Sequence, residues 1–345
     1  MNENTYQQLE DEVWTKGICS GCGACVAVCP PRSIYFEAGT DNVSPLHNNY
    51  CKSVNDDVSC GVCYKVCPRV SSLESKHEVE DEDEGILGEY SSIVSGRASL
   101  DVPRRQSGGA VTSILVNALE AGLIDSVVTV AEDPWTLKPY STVISDSDIL
   151  ISKAGSRYNW WVPLVSALDE AVTKKEYSRI AIVGVPCVIE AIDRIRNSDS
   201  DLLAPFKRSI RLTLGLFCTE TFDYRKLVEN KLKLEYSVEP MNIKKFDIKG
   251  KLEVTLEDNT SINIPLNELD DCVRQGCNVC TDFTATHSDI SAGSIGSPED
   301  ATTLIIRTEE GKKVLDSAVK NNRLVIEDNI DLKLIEKLAL KKKER

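Results

Sequence analysis

Cys19, Cys22, Cys25 and Cys29 are followed by Pro30 and make the run C-x2-C-x2-C-x3-C-P, the spacing with which bacterial ferredoxins hold cubane iron–sulfur clusters. Three thiolates two residues apart wrap one cube through consecutive turns, while the fourth, set before a proline, reaches a neighbouring cluster. A second set is then required. It is present as Cys51, Cys60, Cys63 and Cys67 ahead of Pro68, with the first gap widened to eight residues. Cross-ligation assigns Cys19, Cys22, Cys25 and Cys67 to one [4Fe–4S] cluster and Cys51, Cys60, Cys63 and Cys29 to the other. Structural zinc is the bland alternative, but it spaces its C-x2-C pairs well apart and does not add a third cysteine two residues on.

Five of the 13 cysteines remain. Cys277 and Cys280 form a C-x2-C pair in GCNVC, while Cys187 and Cys218 close the apolar runs IAIVGVPC and LTLGLFC. Strand ends converge in an α/β sheet, so these four thiols can meet at a third cluster site, leaving Cys272 over. On spacing alone they fit equally well as buried small hydrophobes. Two glycine and hydroxyl clusters suit a pyrophosphate: Gln106-Ser107-Gly108-Gly109 before a helix, and Ser291-Ala292-Gly293-Ser294-Ile295-Gly296-Ser297-Pro298 after Asp289. Glycines let backbone amides approach an anion, and a helix N-terminus favours it; a loop that merely turns has the same composition. Lys153-Ala154-Gly155-Ser156-Arg157-Tyr158 offers cations and hydroxyls to phosphate or ribose, or is a solvated loop. Neither G-x-G-x-x-G after the first strand nor a Walker-type loop is present. His47, His77 and His287 are not spaced as a metal site, and Trp160-Trp161 either packs the core or stacks on an aromatic cofactor.

The elements that must position these groups fall into three stretches. Residues 1–72 read as a small two-cluster ferredoxin-like domain, 73–90 as an acidic linker whose run Glu78 to Glu84 repels itself, and 91–345 as a second domain. There the pattern predicts helices at Ser107 to Leu119, Val162 to Thr173, Val188 to Arg196 and Tyr224 to Leu232. It predicts strands at Ser126 to Val130, Arg179 to Gly184, Ile210 to Phe217 and Leu304 to Arg307, with a turn at Glu310-Gly311. That alternation implies an α/β sheet, made mixed by a hairpin of Leu252 to Leu256 and Thr260 to Ile264. The tail LKLIEKLALKKKER is amphipathic and basic, a candidate docking element.

Forty basic against 54 acidic residues give a net charge of −14, which disfavours nucleic acid as partner. Residues 1–90 hold 16 acids and 6 bases, so the excess sits at the N-terminal end and predicts a basic face on whatever protein meets it. No apolar run approaches the roughly 20 residues of a membrane span, and the N-terminus does not read as a signal peptide. The expected location is the cytoplasm, the periphery of a membrane complex included.

GVPC at 184–187, LFCTETF at 216–222, GCNVC at 276–280 and DISAGSIGSP at 289–298 resemble the beta-subunit family of coenzyme F420 hydrogenases and dehydrogenases. The N-terminal two-cluster unit brings the resemblance nearest to the input subunits of archaeal F420H2 dehydrogenases. The resemblance implies a mixed-sheet FAD-binding domain and hydride exchange with coenzyme F420 through FAD. Single electrons would then pass through three [4Fe–4S] clusters to or from a partner complex of hydrogenase, heterodisulfide reductase or F420H2 dehydrogenase type. It implies Cys187, Cys218, Cys277 and Cys280 as ligands of the third cluster. It implies Ser107, Gly108, Gly109 and Thr112 as an FAD loop, Lys153, Gly155, Arg157 and Tyr158 as a segment near the flavin, and Lys249, Gly250 and Lys251 as a K-G-K element. Ser291, Gly293, Ser294, Gly296 and Ser297 would lie over the flavin. Val188, Leu252-Glu253 and Ala301 stand where the family has a glutamine, a Phe-Trp pair and a tryptophan, departures expected to cluster at the flavin and deazaflavin pocket. The alternative they leave open is an F420-independent FAD and iron–sulfur electron-transfer subunit.

Overall fold

The computed structural model describes residues 5–37, 44–70, 85–155, 161–248 and 250–344. In the N-terminal segment β1 (Ile34–Tyr35) and β2 (Leu46–His47) form an antiparallel ribbon. The body contributes β3 (Ser92–Ala98), β4 (Ser126–Glu132), β5 (Pro139–Ile144), β6 (Ile180–Gly184) and β7 (Ile210–Leu216). It continues with β8 (Ile243–Ile248), β9 (Lys251–Leu256), β10 (Ser261–Pro265), β11 (Ile290–Gly293), β12 (Thr302–Ile306) and β13 (Leu324–Glu327). The main sheet runs β13-β3-β12-β11-β7-β6-β4-β5. Its centre, β4, β6, β7 and β11, is parallel, and both edges are antiparallel.

Strands buried on both faces read as unbroken apolar runs, and β6, with all five residues buried, is one. Alternate side chains feed opposite cores. Val128, Ile180 and Ile182 join helix Pro186–Asn197, whereas Val127, Ala181 and Val183 join helices Ala110–Glu120 and Glu309–Lys320. The predicted hairpin exists, but it forms a separate three-stranded sheet, β10-β9-β8. The main sheet is mixed for another reason, its antiparallel edges. The helix expected from Ser107 starts at Ala110, because Gly109 adopts the left-handed conformation (φ 69°) just before it. The Glu310-Gly311 pair belongs to the first turn of helix Glu309–Lys320, capped by Thr308. A Cβ on Gly311 would lie 2.3 Å from the carbonyl oxygen of Asp289, so that glycine serves packing.

The boundary read between the N-terminal stretch and the body is not a boundary in packing. Cys22, Ala24, Val28, Val62 and Val66 share one apolar core with Leu168, Val188, Ile192 and Phe206. The acidic run Glu78 to Glu84 lies outside the described residues, but the end of the expected linker is held: Leu87 is buried and Arg307 donates to the carbonyls of Leu87 and Glu89. The basic tail is helix Leu332–Lys343, which turns Ile335, Ala339 and Lys342 inward. One face therefore packs on this chain, while Leu334 and Leu340 stay exposed on the other.

Leu168→Ala empties a fully buried site in the shared core and should cost about 2–5 kcal/mol. Hydrogen exchange should show Val62–Lys65 and β6 losing protection together; loss confined to one side would contradict a common core.

Candidate functional site

β6 and β7 run parallel with Gly184 opposite Gly215, so Cys187 and Cys218, each three residues further on, leave the same edge of the sheet. Open α/β sheets place their ligands outside this carboxyl edge. Cys277 and Cys280 arrive in a tight loop closed by the Cys280 N–H on the Cys277 carbonyl (3.2 Å), and the Thr221 N–H reaches Cys277 Sγ at 3.4 Å. Burial pushes the Cys187 thiol far up; Arg69 opposes it, and Cys280, Cys22 and Cys218 add to it. Burial likewise pushes Cys218 up to about 12, against Lys342 and with Cys277 and Cys280. The four thiols from three separated stretches are thus electrostatic neighbours.

The N-terminal cysteines sort the same way. Burial, then Cys22, Cys19, Cys67 and Cys63, raises the Cys25 thiol well above its ordinary value. Burial, then Cys29, Cys60 and Cys51, raises Cys63. Burial lifts Cys67 to about 12, with Cys22 and Cys19 among its neighbours. Cys29, Cys51, Cys60 and Cys63 also line a single small cleft, walled by the stacked rings of Tyr6 and His47 (centroids 3.3 Å apart). Each prolyl-preceding cysteine therefore faces the other set. The thiols are neighbours without forming a single-ion cage: among the described residues no three His, Cys, Asp or Glu side chains come together around one ion. An all-sulfur donor set in fours suits a cubane cluster, and ligation would deprotonate thiols that burial otherwise keeps neutral. Cys272 lies apart, buried in the core of the small sheet with Phe222 and Leu269, its thiol held at about 12 by burial and Asp271.

Among the described residues three buried cations stand beside these sets, and the sequence reading missed all of them. Arg69, Arg274 and Lys342 are 3%, 5% and 3% exposed. Burial works against the Arg69 charge, but Cys280, Cys187, Glu190 and Cys277 raise its pKa. Burial lowers that of Arg274, opposed by Cys277, Cys19 and Cys187. Lys342 donates to the Cys218 carbonyl. Arg69 follows Cys67-Pro68 and Arg274 precedes Cys277 by three residues, a usable cue; Lys342 lies 62 residues beyond Cys280 and has none.

The glycine clusters also meet, for reasons partly of packing. Ser107 Oγ lies 2.9 Å from Thr302 Oγ1. A Cβ on Gly108 would meet the Gly96 carbonyl at 2.2 Å and Ala301 Cα at 2.9 Å. Thr112 lies in the first turn of helix Ala110–Glu120. The second cluster is not one loop: Ser291 and Gly293 belong to the central strand β11. Ser291 is fully buried and its hydroxyl accepts from Arg307 Nε (2.7 Å). Ser294 is exposed, Gly296 packs against Ile335, and Ser297 Oγ pairs with Thr303 Oγ1 (2.6 Å).

A second small cleft collects Gln106 of the first glycine cluster, Gly155 of the Lys153 segment, and Arg104, Lys244 and Lys245. Lys153 caps the helix that precedes this cleft, and Lys251 opens β9 away from it. Arg157, Tyr158 and Lys249 lie outside the described residues, as do His77 and Trp160. Trp161 packs at the seam, its Nε1–H 3.3 Å from the Gly21 carbonyl. His287 pairs with Asp193 at 3.6 Å. The three departures do not gather at one pocket: Val188 lies in the shared core, Leu252 in the core of the small sheet, and Ala301 against Gly108.

Residues 93–169 and 177–331 match the N-terminal and C-terminal models of the coenzyme F420 hydrogenase/dehydrogenase beta subunit. The chain is 32% identical to the beta subunit of coenzyme F420 hydrogenase of Methanothermobacter thermautotrophicus, over 75% of its own length and 94% of that protein. It is 29% identical to a subunit of the F(420)H(2) dehydrogenase of Methanosarcina mazei over 96% of its length and 91% of that protein, a span that takes in the N-terminal cysteines. Among solved structures it resembles a chain of the F420-reducing [NiFe] hydrogenase complex of Methanosarcina barkeri, with TM-score 0.70 and 29% identity over 77% of this chain and 92% of that one. With its mixed sheet and convergent thiols, the chain belongs to the coenzyme F420 hydrogenase/dehydrogenase beta-subunit family.

Proposed function

We propose that this chain is an iron–sulfur flavoprotein subunit that exchanges hydride with coenzyme F420 through FAD and passes single electrons through three [4Fe–4S] clusters to or from a partner complex. The observation that carries the reading is the gathering of twelve cysteines into three sets of four, one of them at the carboxyl edge of the sheet. Relatives named as F420 hydrogenase and F420H2 dehydrogenase subunits support it.

A flavin, when bound, converts a two-electron hydride into single electrons. The chain's task is to hold it between donor and cluster. The cleft of Arg104, Gln106, Gly155, Lys244 and Lys245 is the best candidate for its pyrophosphate, since three cations stand at one mouth. Arg104 is engaged by a loose 3.6 Å pair with Glu257. With clusters bound, the Cys187 set would take electrons inward, and the Cys19 set, whose Cys22 is an electrostatic neighbour of Cys187, would be next in line. The Cys51 set, under the Tyr6–His47 lid and bordered by exposed Tyr50, Val54 and Val58, would be where electrons leave or enter once a cluster is bound. No described helix is long and apolar enough to cross a membrane.

Stoichiometric reduced F420 added anaerobically should bleach the flavin absorbance; flavin that stays oxidised would point to the F420-independent alternative instead. Arg104→Ala removes a charge-assisted contact worth about 1.5–3 kcal/mol and should weaken FAD binding by roughly tenfold or more, read by flavin retained on dialysis. Cys67→Ser should lower iron from about twelve to about eight per chain and remove the cluster signal of the Cys19 set, leaving that of the Cys51 set; the opposite assignment would refute the crossed pairing.

A further inference from the structure

The loop that carries Cys19 touches the loop that carries Cys277, backbone to backbone. A Cβ on Gly276 would lie 2.2 Å from the Cys19 carbonyl oxygen, and one on Gly17 would strike the Gln275 side chain. Two arginines cross this seam in opposite directions. Arg69, from the N-terminal segment, donates from Nη2 to the Gly276 carbonyl (2.8 Å) and from Nε to the Ile18 carbonyl (3.1 Å). Arg274, from the body, donates from Nη1 to the Ser20 carbonyl (2.7 Å) and lies over the Trp161 ring, 5.1 Å from its centroid. Each guanidinium thus grips the cysteine loop of the other side.

Arg274 carries one further feature. Its Nε is buried and, among the described residues, meets no hydrogen-bond acceptor. An unmatched buried donor is costly, and the acidic neighbours of this guanidinium are Cys277, Cys19, Cys187 and Asp223. Three of the four are thiols of the two sets that meet here. Hydrogen bonds to cluster sulfur stabilise the more negative, reduced form and so raise the reduction potential.

We propose that Arg274 and Arg69 form a crossed clamp that fixes the Cys19 loop against the Cys277 loop, and that Arg274 supplies, through its unmatched Nε–H, a hydrogen bond to cluster sulfur that sets the potential step between the first and third clusters. The inference rests on the proposed clusters. The transfer it serves moves one electron: one cluster is oxidised, the other reduced, and no proton or covalent bond changes place. Arg274 and Arg69 are positioning residues.

The test uses the full chain, purified anaerobically, as wild type, Arg274→Lys, Arg274→Gln, Arg69→Lys and, as a control at an exposed ion pair, Arg211→Gln. Iron content and potentiometric titration followed by electron paramagnetic resonance are read on each. Arg274→Gln should keep its iron and shift the potentials of the Cys19 and Cys187 sets to more negative values by unequal amounts, so that the step between them changes, leaving that of the Cys51 set in place. Arg274→Lys keeps the charge but loses the Nε–H and the planar stack, and should recover only part of the shift. Arg69→Lys should slow electron transfer between the two sets at least tenfold, and the control should match wild type. Full iron with unmoved potentials in Arg274→Gln overturns the proposal. So does full recovery by Arg274→Lys, or loss of iron in both Arg274 variants, which would make the residue a structural brace alone. A wild type holding about eight irons instead of about twelve would overturn the cluster assignment itself, and this proposal with it; unmoved potentials at about twelve irons would sink this proposal only.

Discussion

Removing a thiolate from water is expensive, and this chain gathers its thiols where water is scarce. Burial is the largest cause of the raised values at Cys25, Cys63, Cys187 and Cys218, so in the bare protein these four sulfurs are held neutral. Whatever binds them must supply the positive charge that solvent does not. The cations already present are placed to share that load: Arg69 and Arg274 between two of the sets, Lys342 behind Cys218. Much of the remaining architecture follows from bringing those groups inside. The C-terminal helix packs down on Ile335 and Ala339, which carries Lys342 to its carbonyl. The N-terminal segment shares a core with the body, which carries Arg69 to Gly276.

The sheet explains why residues far apart in sequence serve one edge. Four parallel strands deliver their carboxyl ends to the same side, and β3, antiparallel to β12, delivers its own end there too. The turns after these strands hold Gln106, Cys187, Cys218 and Ser294. The small antiparallel sheet β8–β10 adds Lys244 and Lys245 from outside that frame. An open parallel sheet thus supplies a fixed edge, and the appended pieces supply charge and walls.

Patterns whose cause is local were legible in the sequence. The ferredoxin spacing marked two sets of four cysteines because turn geometry dictates the intervals, and the fold brings the members of each set near one another. β6 and β7 were legible because strands covered on both faces must be apolar throughout. β11 was not: Ile290-Ser291-Ala292-Gly293 reads as a hydroxyl-rich loop, yet Ser291 is satisfied by Ser288 and Arg307, and Gly293 is small because the Phe217 ring lies against it. β3 was missed for a related reason, since Gly96 makes room for Leu304 and for the Gly108 turn. The three buried cations depend on contacts between distant segments, of which only the two arginines beside cysteines left a local trace.

Val188 shows what the shared core means for portability. The N-terminal segment looks like a cassette, with its own cysteine code and a charged stretch after it. Its inner face, however, is completed by side chains of the body, among them Val188, Leu168 and Ile192. A graft onto a body with glutamine at position 188 would bring a polar amide to a surface built of apolar side chains. Exchanging the cassette alone would leave one face of helix Pro186–Asn197 unmatched, so the unit of packing is larger than the unit suggested by the cysteine motif.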